Sequence, residues 1–272
     1  MANSARTVLI TGASTGIGKA AALKFQAAGW NVAATMRTPE KATWVKADAK
    51  FITPVLDVTQ TDSIRSAISQ VRAAFGHIDT VVNNAGYGLV GPLEASSQEQ
   101  VERQFSTNVF GLMNVCREII PHFRERKQGT IINVASIGGR IAFPLYSLYH
   151  ATKWAVEGFS ESLQYELQPF GIRVKIIEPG PIKTDFYDRS MDLIEKPGLT
   201  AYDSYATRVL SNIEKAGATA PGPDIVAKVI YRAATDQSTR LRYAANGAAI
   251  LGFRRVASDN LFRYVVRKAV QG

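Results

Sequence analysis

Residues 11–18, Thr11-Gly12-Ala13-Ser14-Thr15-Gly16-Ile17-Gly18, decide the fold of this 272-residue chain. A short apolar run precedes them, and a helical pattern begins at Gly18. Glycines between a strand and a helix let the backbone turn sharply and bring its N–H groups close to a pyrophosphate at the helix N-terminus. The stretch predicts a dinucleotide site built from Gly12, Ser14, Thr15, Gly16, Ile17 and Gly18. A tight turn without a ligand is the alternative.

Short β-branched runs alternate with helical stretches along the chain, which is typical of βαβ units and a parallel sheet. The predicted strands are residues 7–10, 31–35, 51–55, 80–83, 130–134, 173–177 and 241–244. The predicted helices are residues 18–28, 61–75, 98–126 and 147–167. Right-handed crossovers place such helices on both faces of one sheet. We therefore predict an α/β chain with a Rossmann-like, doubly wound sheet of about seven parallel strands.

The length suits one α/β domain, and no repeat or linker divides it, so residues 1–272 are predicted to form a single domain. Residues 186–222 are the most irregular part, with mixed charges and several Gly and Pro. We expect an inserted loop or lid there, beside the site.

The composition is that of an ordinary globular protein, with 46% hydrophobic and 20% charged residues. No apolar run approaches the ~20 residues that span a bilayer. Residues 1–6 show no secretory signal pattern, so we expect a cytoplasmic location and no stable membrane insertion.

The formal net charge is +9, and basic residues gather late in the chain. They are not interleaved with a nucleic-acid recognition motif, so no nucleic acid partner is predicted. Residues 259–270 have apolar residues at helical spacing with Arg263, Arg267 and Lys268 between them. We predict a terminal helix that packs its apolar stripe on the core. A membrane-surface helix is the alternative.

The single cysteine, Cys116, lies among apolar residues at helical spacing, which predicts buried packing rather than a reactive thiol. His77, His122 and His150 have no ligand-like spacing with one another or with Cys116. No metal site is predicted.

The end of the second strand bears on cofactor choice. It reads Thr35-Met36-Arg37 and carries no acidic residue to accept a ribose 2′-hydroxyl. The guanidinium of Arg37 suits a 2′-phosphate, so NADP(H) is favoured over NAD(H). A solvated loop charge is the other interpretation of Arg37, and Thr15 supplies no second cation.

Tyr149 and Lys153 lie one turn apart on the predicted helix 147–167. An ammonium ~5 Å from a phenol favours the phenolate by roughly 3 kcal/mol at an effective dielectric constant of about 20. Ser136 follows the fifth strand, at the carboxyl edge where parallel sheets bind ligands, and can orient a carbonyl oxygen. A second such pair, Tyr264 and Lys268, has no serine at the matching distance, so we interpret it as surface and packing residues.

These motifs and their order resemble the short-chain dehydrogenase/reductase family along nearly the whole chain. The matching pieces are residues 11–18, Asp57-Val58, Asn83-Asn84-Ala85-Gly86, Asn108, Ser136, Tyr149 to Lys153, and Pro179-Gly180-Pro181-Ile182-Lys183-Thr184. Lys183 occupies a position that varies in the family, which leaves the local charge there open.

The resemblance implies roles for the matching residues. Asp57 and Val58 should border the adenine, while Asn84, Ala85 and Gly86 should support the cofactor and the sheet. Asn108 should hold a water in a proton relay with Lys153. Pro179, Gly180, Ile182 and Thr184 should wrap the nicotinamide, with Tyr149 and Lys153 also meeting the cofactor. The helices at 98–126 and 147–168 should pair between subunits, which implies a homodimer or homotetramer.

The hypothesis is an NADP(H)-dependent oxidoreductase that transfers a hydride between nicotinamide and a hydrophobic secondary alcohol or ketone. Its catalytic residues are Asn108, Ser136, Tyr149 and Lys153. Mostly apolar residues are expected beside the substrate, namely Leu89, Val90, Ile141, Phe143, Leu145, Tyr146, Phe186 and Tyr187, although loop packing explains them equally. The pattern is most similar to the steroid- and retinol-dehydrogenase-like branch. The alternatives are a 3-oxoacyl thioester reductase and a non-catalytic NADP(H)-binding sensor.

Overall fold

The computed structural model describes residues 5–46, 48–184, 191–194 and 196–271. Its strands are β1 (Thr7–Ile10), β2 (Asn31–Ala34), β3 (Phe51–Ile52), β4 (Thr80–Asn83), β5 (Gly88–Val90), β6 (Gly129–Val134), β7 (Ile172–Pro179), β8 (Met191–Leu193) and β9 (Arg242–Ala245). Its helices are α1 (Gly16–Ala27), α2 (Thr61–Phe75), α3 (Gln98–Phe105), α4 (Leu112–Arg126), α5 (Ser147–Leu167), α6 (Asp203–Ala218), α7 (Asp224–Thr235), α8 (Ala248–Val256) and α9 (Asp259–Gln271).

Seven of the described strands form one sheet in the order β3-β2-β1-β4-β6-β7-β9, and every pair is parallel. The prediction of about seven parallel strands is confirmed. Because all the strands run the same way, their carboxyl ends meet at one edge. A second, two-stranded parallel sheet pairs β5 with β8 and was not predicted.

Helices cover both faces of the large sheet, as predicted. On one face α1 and α7 bury Phe25 and Ile230 against the strands. On the other face α2, α4 and α5 bury Val71, Ile119 and Leu163. The β-branched strands are buried on both sides, which accounts for their continuous apolar sequence.

The predicted helix over 98–126 is not continuous. A π-helical segment, Ser106–Gly111, separates α3 from α4. The π-helix has an extra residue in its turn. Within this segment the Asn108 side chain hydrogen-bonds to the backbone of Tyr87. Such bulges are common at functional sites, and local periodicity does not reveal them.

Other boundaries also differ from the prediction. The strand predicted over 51–55 ends at Ile52, because Pro54 has no N–H for the ladder, although Val55 forms one isolated bridge with Met36. The first helix begins at Gly16 rather than Gly18. Helices α7 and α8 were not predicted.

The segment 186–222 is more regular than predicted. Residues 186–190 and 195 lie outside the described residues. The described remainder contains β8 and the 16-residue helix α6, so the loop prediction is wrong over that helix. A lid role for this segment stays a prediction.

The C-terminal helix α9 packs on the body of the protein through Phe262 and Val270, which are 5% and 8% exposed. The prediction that this helix docks on the core is confirmed through Phe262, but Leu261 and Val265 of the predicted stripe stay 48% and 39% exposed. No helix in the described part of the chain combines the length and apolar character that crossing a bilayer requires. The cytoplasmic location stays a prediction.

Candidate active site

A cleft of about 900 Å³ opens at the carboxyl edge of the large sheet. It is lined by the turns that follow β1, β2, β3, β4, β6 and β7, together with α5 and parts of α6 and α9. Most of the predicted cofactor residues meet there, and they are Gly12, Ser14, Thr15, Gly16, Ile17, Arg37, Asp57, Val58, Asn84, Ala85, Gly86, Tyr149, Lys153, Pro179, Gly180, Ile182 and Thr184. Residues from six separate segments therefore form one surface.

The turn between β1 and α1 depends on glycine at Gly12. Its φ is +64°, and a Cβ there would lie 2.8 Å from the Ala85 Cα atom, so any side chain would clash with the turn after β4. Helix α1 starts at Gly16 with no side-chain hydrogen bond from Thr15 at its N-cap. Its first-turn N–H groups lack intrahelical acceptors, and Thr15, Gly16 and Ile17 line the cleft, so this helix end is suited to bind a phosphate group.

Asn84 ties this turn to β4. Its Nδ2 atom donates to the carbonyl oxygens of Thr11 and Gly12, each at 3.0 Å. The Thr11 hydroxyl oxygen accepts from the N–H groups of Asn84 and Ala85, each at 3.1 Å. Gly18 does not reach the cleft, because a Cβ there would strike Gly12 and Asn84. Its part is close packing within the turn.

Arg37 is exposed on the cleft wall just after β2, and the hydroxyl-bearing residue Ser14 lines the same cleft. Asp57 also lines the cleft, but one of its carboxylate oxygens already accepts from the N–H and hydroxyl of Thr59, at 2.9 and 2.7 Å. The neighbouring Val58 side chain packs against Gly111. This end of the cleft therefore offers one cation and a carboxylate whose hydrogen-bonding capacity is partly used.

Ser136 follows β6 and lines the cleft. Its Oγ atom accepts from the Gly138 N–H at 3.0 Å and donates weakly to the Pro179 carbonyl oxygen at 3.5 Å. The hydroxyl is thereby held between the turns after β6 and β7, with an orientation set by two backbone groups.

Tyr149 and Lys153 both face the cleft from α5, one turn apart. The Lys153 Nζ atom lies 5.7 Å from the centre of the Tyr149 ring. It donates to the Val134 carbonyl oxygen at 2.9 Å. Burial lowers the pKa of Lys153 to about 8, and the negative charge of Glu157 opposes this shift. The lysine is therefore a buried cation beside the phenol.

Asn108 lies behind the cleft wall and is 2% exposed. Its Oδ1 atom accepts from the Tyr87 N–H at 3.0 Å, and its Nδ2 atom donates to the Tyr87 carbonyl oxygen at 2.8 Å and the Thr152 hydroxyl at 3.1 Å. A Cβ on Gly86 would lie 3.0 Å from Asn108 Oδ1 and 3.9 Å from Lys153 Nζ. Asn108 and Lys153 thus flank the same glycine.

A buried charge cluster lies one turn beyond Lys153. Arg242 Nε donates to Glu157 Oε2 at 2.9 Å, and Arg140 Nη1 contacts Glu178 at 3.2 Å. Burial and the nearby charge of Glu178 raise the pKa of Glu157 to about 7. Among the described residues, Glu157 Oε1 is buried without a hydrogen-bond partner. This cluster could not be predicted from the sequence, because its members lie on four separate segments.

His150, for which the sequence predicts no role in the site, lines the cleft. Its Nδ1 atom accepts from the Phe143 N–H at 3.3 Å, and its ring stacks on Tyr146. Burial lowers the pKa of His150 to about 4, so the ring is neutral at physiological pH. In the sequence, the one sign that His150 belongs to the site is that it directly follows Tyr149.

Met191, Asp192, Asn212 and Ile213 of the segment 186–222 also line the cleft, which places the described part of that segment beside the site as predicted. The sequence did not single out Tyr87, Arg103 and Val270, which complete the wall. Of the residues expected beside the substrate, Phe143 and Tyr146 line the cleft. Leu89, Val90 and Ile141 are buried in packing, and Leu145 also lies off the cleft wall. Phe186 and Tyr187 lie outside the described residues.

A family model for short chain dehydrogenases matches residues 6–192. The chain belongs to the short-chain dehydrogenase family. It is 38% identical over 237 residues to an uncharacterised oxidoreductase of Schizosaccharomyces pombe, covering 86% of this chain and 98% of that protein. It is 34% identical over 264 residues to a 3-ketodihydrosphingosine reductase of Bacteroides thetaiotaomicron, covering 96% of each.

Solved structures agree with this family assignment. A short-chain dehydrogenase from Streptomyces avermitilis has a TM-score of 0.83 and 32% identity, and the match covers 98% of this chain and 96% of that one. ElxO with NADP bound matches with a TM-score of 0.73 and 25% identity over 90% and 99% of the chains. A 3-ketoacyl-(acyl-carrier-protein) reductase from Brucella melitensis with NADH matches equally, over 88% and 97%. The protein is thus an oxidoreductase that uses a nicotinamide dinucleotide, and the steroid and retinol branch stays a prediction.

Proposed function

We propose that this short-chain dehydrogenase interconverts a hydrophobic ketone and its secondary alcohol with NADP(H). The observation that carries the proposal is the buried Lys153 ammonium held 5.7 Å from the ring of Tyr149 on the wall of the cleft. A binding protein without turnover has no need for a buried cation beside a phenol, since burying a charge is costly.

The bound nicotinamide supplies the hydride in reduction and accepts it in oxidation. Tyr149 gives a proton to the substrate oxygen in reduction and takes it back in oxidation. Ser136 hydrogen-bonds that oxygen, from a position fixed by Gly138 and Pro179. The charge of Lys153 favours the phenolate form of Tyr149. Asn108 holds the backbone of Tyr87 and, through it, the wall behind Lys153.

The preference for NADP(H) rests on Arg37, which is exposed on the wall of the cleft that Ser14 also lines. A guanidinium binds a 2′-phosphate through charge-assisted hydrogen bonds. Asp57, the nearest carboxylate on this wall, already accepts two hydrogen bonds from Thr59. It is therefore a poorer partner for a ribose 2′-hydroxyl.

The choice of a hydrophobic substrate rests on part of the cleft wall that is outside the glycine-rich turn. Its apolar members are Phe143, Tyr146, Met191, Ile213 and Val270. A neutral His150 adds a polar group without charge. The relative from Bacteroides thetaiotaomicron, whose name gives a keto compound as its substrate, supports a ketone.

The test is NADPH and NADH oxidation against a panel of steroids, retinoids, aromatic ketones and long-chain 3-keto compounds, with Tyr149→Phe as the diagnostic variant. We expect NADPH-dependent turnover with an apolar ketone and a loss of about 10²–10⁴-fold in kcat/KM for Tyr149→Phe. The matched control is Tyr264→Phe, since Tyr264 lies on α9 and is 52% exposed. Near-normal turnover by Tyr149→Phe would reject the assignment, and cofactor binding without any turnover would favour the sensor.

A 3-oxoacyl thioester reductase is the second candidate. The likeness to the Brucella melitensis reductase and the net charge of +9, which would attract an acidic carrier, favour it. Turnover of a carrier-bound 3-oxoacyl thioester should then fall steeply with salt. Faster, salt-independent reduction of an uncharged ketone would reject this candidate.

We also propose that the protein assembles as a homodimer or homotetramer through the region of α4 and α5. Large apolar side chains are exposed there, with Trp154 at 52% and Tyr165 at 66% on α5 and Phe110 at 56% just before α4. Light scattering should give a mass of two or four chains, and Trp154→Glu should lower it.

A further inference from the structure

The two C-terminal helices carry a concentration of positive charge that the catalytic proposal does not use. The basic residues of α8 and α9 are Arg254, Arg255, Arg263, Arg267 and Lys268. Asp259 is the one acidic residue between positions 248 and 271, and Arg254 already donates to it at 2.7 Å. The remaining cations face no neutralising carboxylate within these two helices.

Helix α9 has two apolar stripes, of which the core covers one. Phe262 and Val270 are buried, and Phe262 packs against Ile137 and Ile141. The second stripe is open to solvent, and it consists of Leu261, Tyr264 and Val265, exposed by 48%, 52% and 39%. Val256, at the end of α8, is 82% exposed. Three exposed apolar side chains on one side of a single helix form a patch, and exposed patches mark interaction sites more often than scattered residues do.

The charges and the open apolar stripe lie together on α9. At 3.6 residues per turn, Lys268 falls on the same side as Leu261 and Tyr264. Arg263 and Arg267 are one turn apart and flank Tyr264 on its other side. A basic helix with an apolar stripe of this kind is typical of segments that lie in a membrane interface. We call Val256, Leu261, Tyr264, Val265 and the surrounding basic residues the C-terminal face.

The same helix reaches the cleft. Ala269 and Val270 are part of its wall, and the Val270 carbonyl oxygen accepts from Asn212 Nδ2 of α6 at 3.1 Å. A surface that holds α9 would therefore lie close to the opening of an apolar cleft.

We propose that the C-terminal face docks on the surface of an anionic lipid bilayer. The cations meet lipid headgroups while the exposed stripe enters the boundary with the acyl chains. A nucleic acid is a poorer fit, because it would leave Leu261 and Val265 exposed. Docking is peripheral, since none of the described helices is long and apolar enough to span a bilayer.

The test is flotation of the full chain with vesicles of phosphatidylcholine containing phosphatidylserine and with vesicles of phosphatidylcholine alone. We expect binding to the anionic vesicles that weakens with salt. Each basic side chain near such a surface contributes about 1 kcal/mol, or roughly fivefold in partitioning. Arg263→Gln/Arg267→Gln should therefore lower binding roughly 30-fold. Leu261→Ser/Val265→Ser should lower it while leaving the salt dependence of the residual binding unchanged.

The matched control is Arg72→Gln/Lys228→Gln, which removes the same charge from exposed positions on α2 and α7 and should bind as the unchanged chain does. Thermal unfolding and NADPH titration of each variant report whether the fold survives. Equal binding by the two charge-deleted variants would overturn the proposal, as would no binding to anionic vesicles. A lower oligomer mass in Leu261→Ser/Val265→Ser, without vesicle binding by the unchanged chain, would instead assign the face to a second copy.

Discussion

Lys153 Nζ donates a hydrogen bond of 2.9 Å to the carbonyl oxygen of Val134, the last residue of β6. The bond joins α5 to the end of β6, two residues before Ser136. The end of β6 therefore helps to position both Lys153 and Ser136. The same bond holds the ammonium in a buried position, where it is 7% exposed. The hydrogen bond to Val134 therefore positions the Lys153 ammonium and also keeps it buried, where its charge is costly.

Lys153 should leave a signature in the pH dependence of stability. Burial lowers its pKa from 10.5 to about 8 in the folded protein. Between these values the unfolded chain binds more protons, so the free energy of unfolding rises with pH. Relative to Lys153→Met, the unchanged protein should gain up to about 3 kcal/mol between pH 8 and 10.5. Urea unfolding across this range measures it, and parallel curves would contradict the burial of a charged lysine.

Glu157 should have the opposite effect at lower pH, where it makes the free energy of unfolding fall as the pH rises. Its pKa is raised from 4.5 to about 7, so the folded protein holds the extra proton in this window and loses stability as the pH rises through it. Relative to Glu157→Gln, the unchanged protein should lose about 2–3 kcal/mol from pH 4.5 to 7. The control is Glu161→Gln, because the pKa of that carboxylate is lowered by its hydrogen bond to Arg242. Calorimetry at several pH values tests both, and equal slopes would refute the prediction.

Asn108→Ala should destabilise the protein by about 2–4 kcal/mol, because it leaves the Tyr87 N–H and carbonyl groups without their partner. Turnover should fall as the wall behind Lys153 loosens. Asn114→Ala is the matched control, because among the described residues that side chain makes one hydrogen bond, accepted from Arg117 at the surface, and the change should cost less than about 0.5 kcal/mol. Denaturant midpoints compare the two. A similar, small effect in both would show that the π-helical segment does not depend on Asn108.

Arg37→Gln should lower the NADPH-to-NADH ratio of kcat/KM by about 10–100-fold, because hydrogen bonds to charged groups contribute about 1.5–3 kcal/mol. Lys41→Gln removes a nearby exposed cation that is not part of the cleft wall and should leave the ratio unchanged. Steady-state kinetics with both cofactors decide the point. An NADH preference in the unchanged enzyme would remove the basis of the prediction.

The local sequence predicted the sheet well because the relevant signals are short in range. Apolar β-branched runs indicate buried strands whatever lies beyond them, and the glycines between the first strand and the first helix predict the turn from their spacing, although the clash with Ala85 that requires glycine at position 12 is a tertiary contact. The spacing of Tyr149 and Lys153 needs only a helix. The predicted helix boundaries were wrong where a contact distant in sequence changes the backbone. At Ser106–Gly111 the Asn108 side chain accepts a hydrogen bond from the backbone of Tyr87, 21 residues away.

The sequence by itself determined the class of fold, the glycine-rich turn and the tyrosine and lysine pair, since each depends on periodicity or on spacing along a few turns of chain. Tertiary structure alone decided that Val134 anchors Lys153, that Glu157 meets Arg242 across 85 residues, and that α9 reaches the cleft while leaving a basic apolar stripe open to solvent. Those contacts depend on how separate segments pack, and burial rather than local pattern sets their energies.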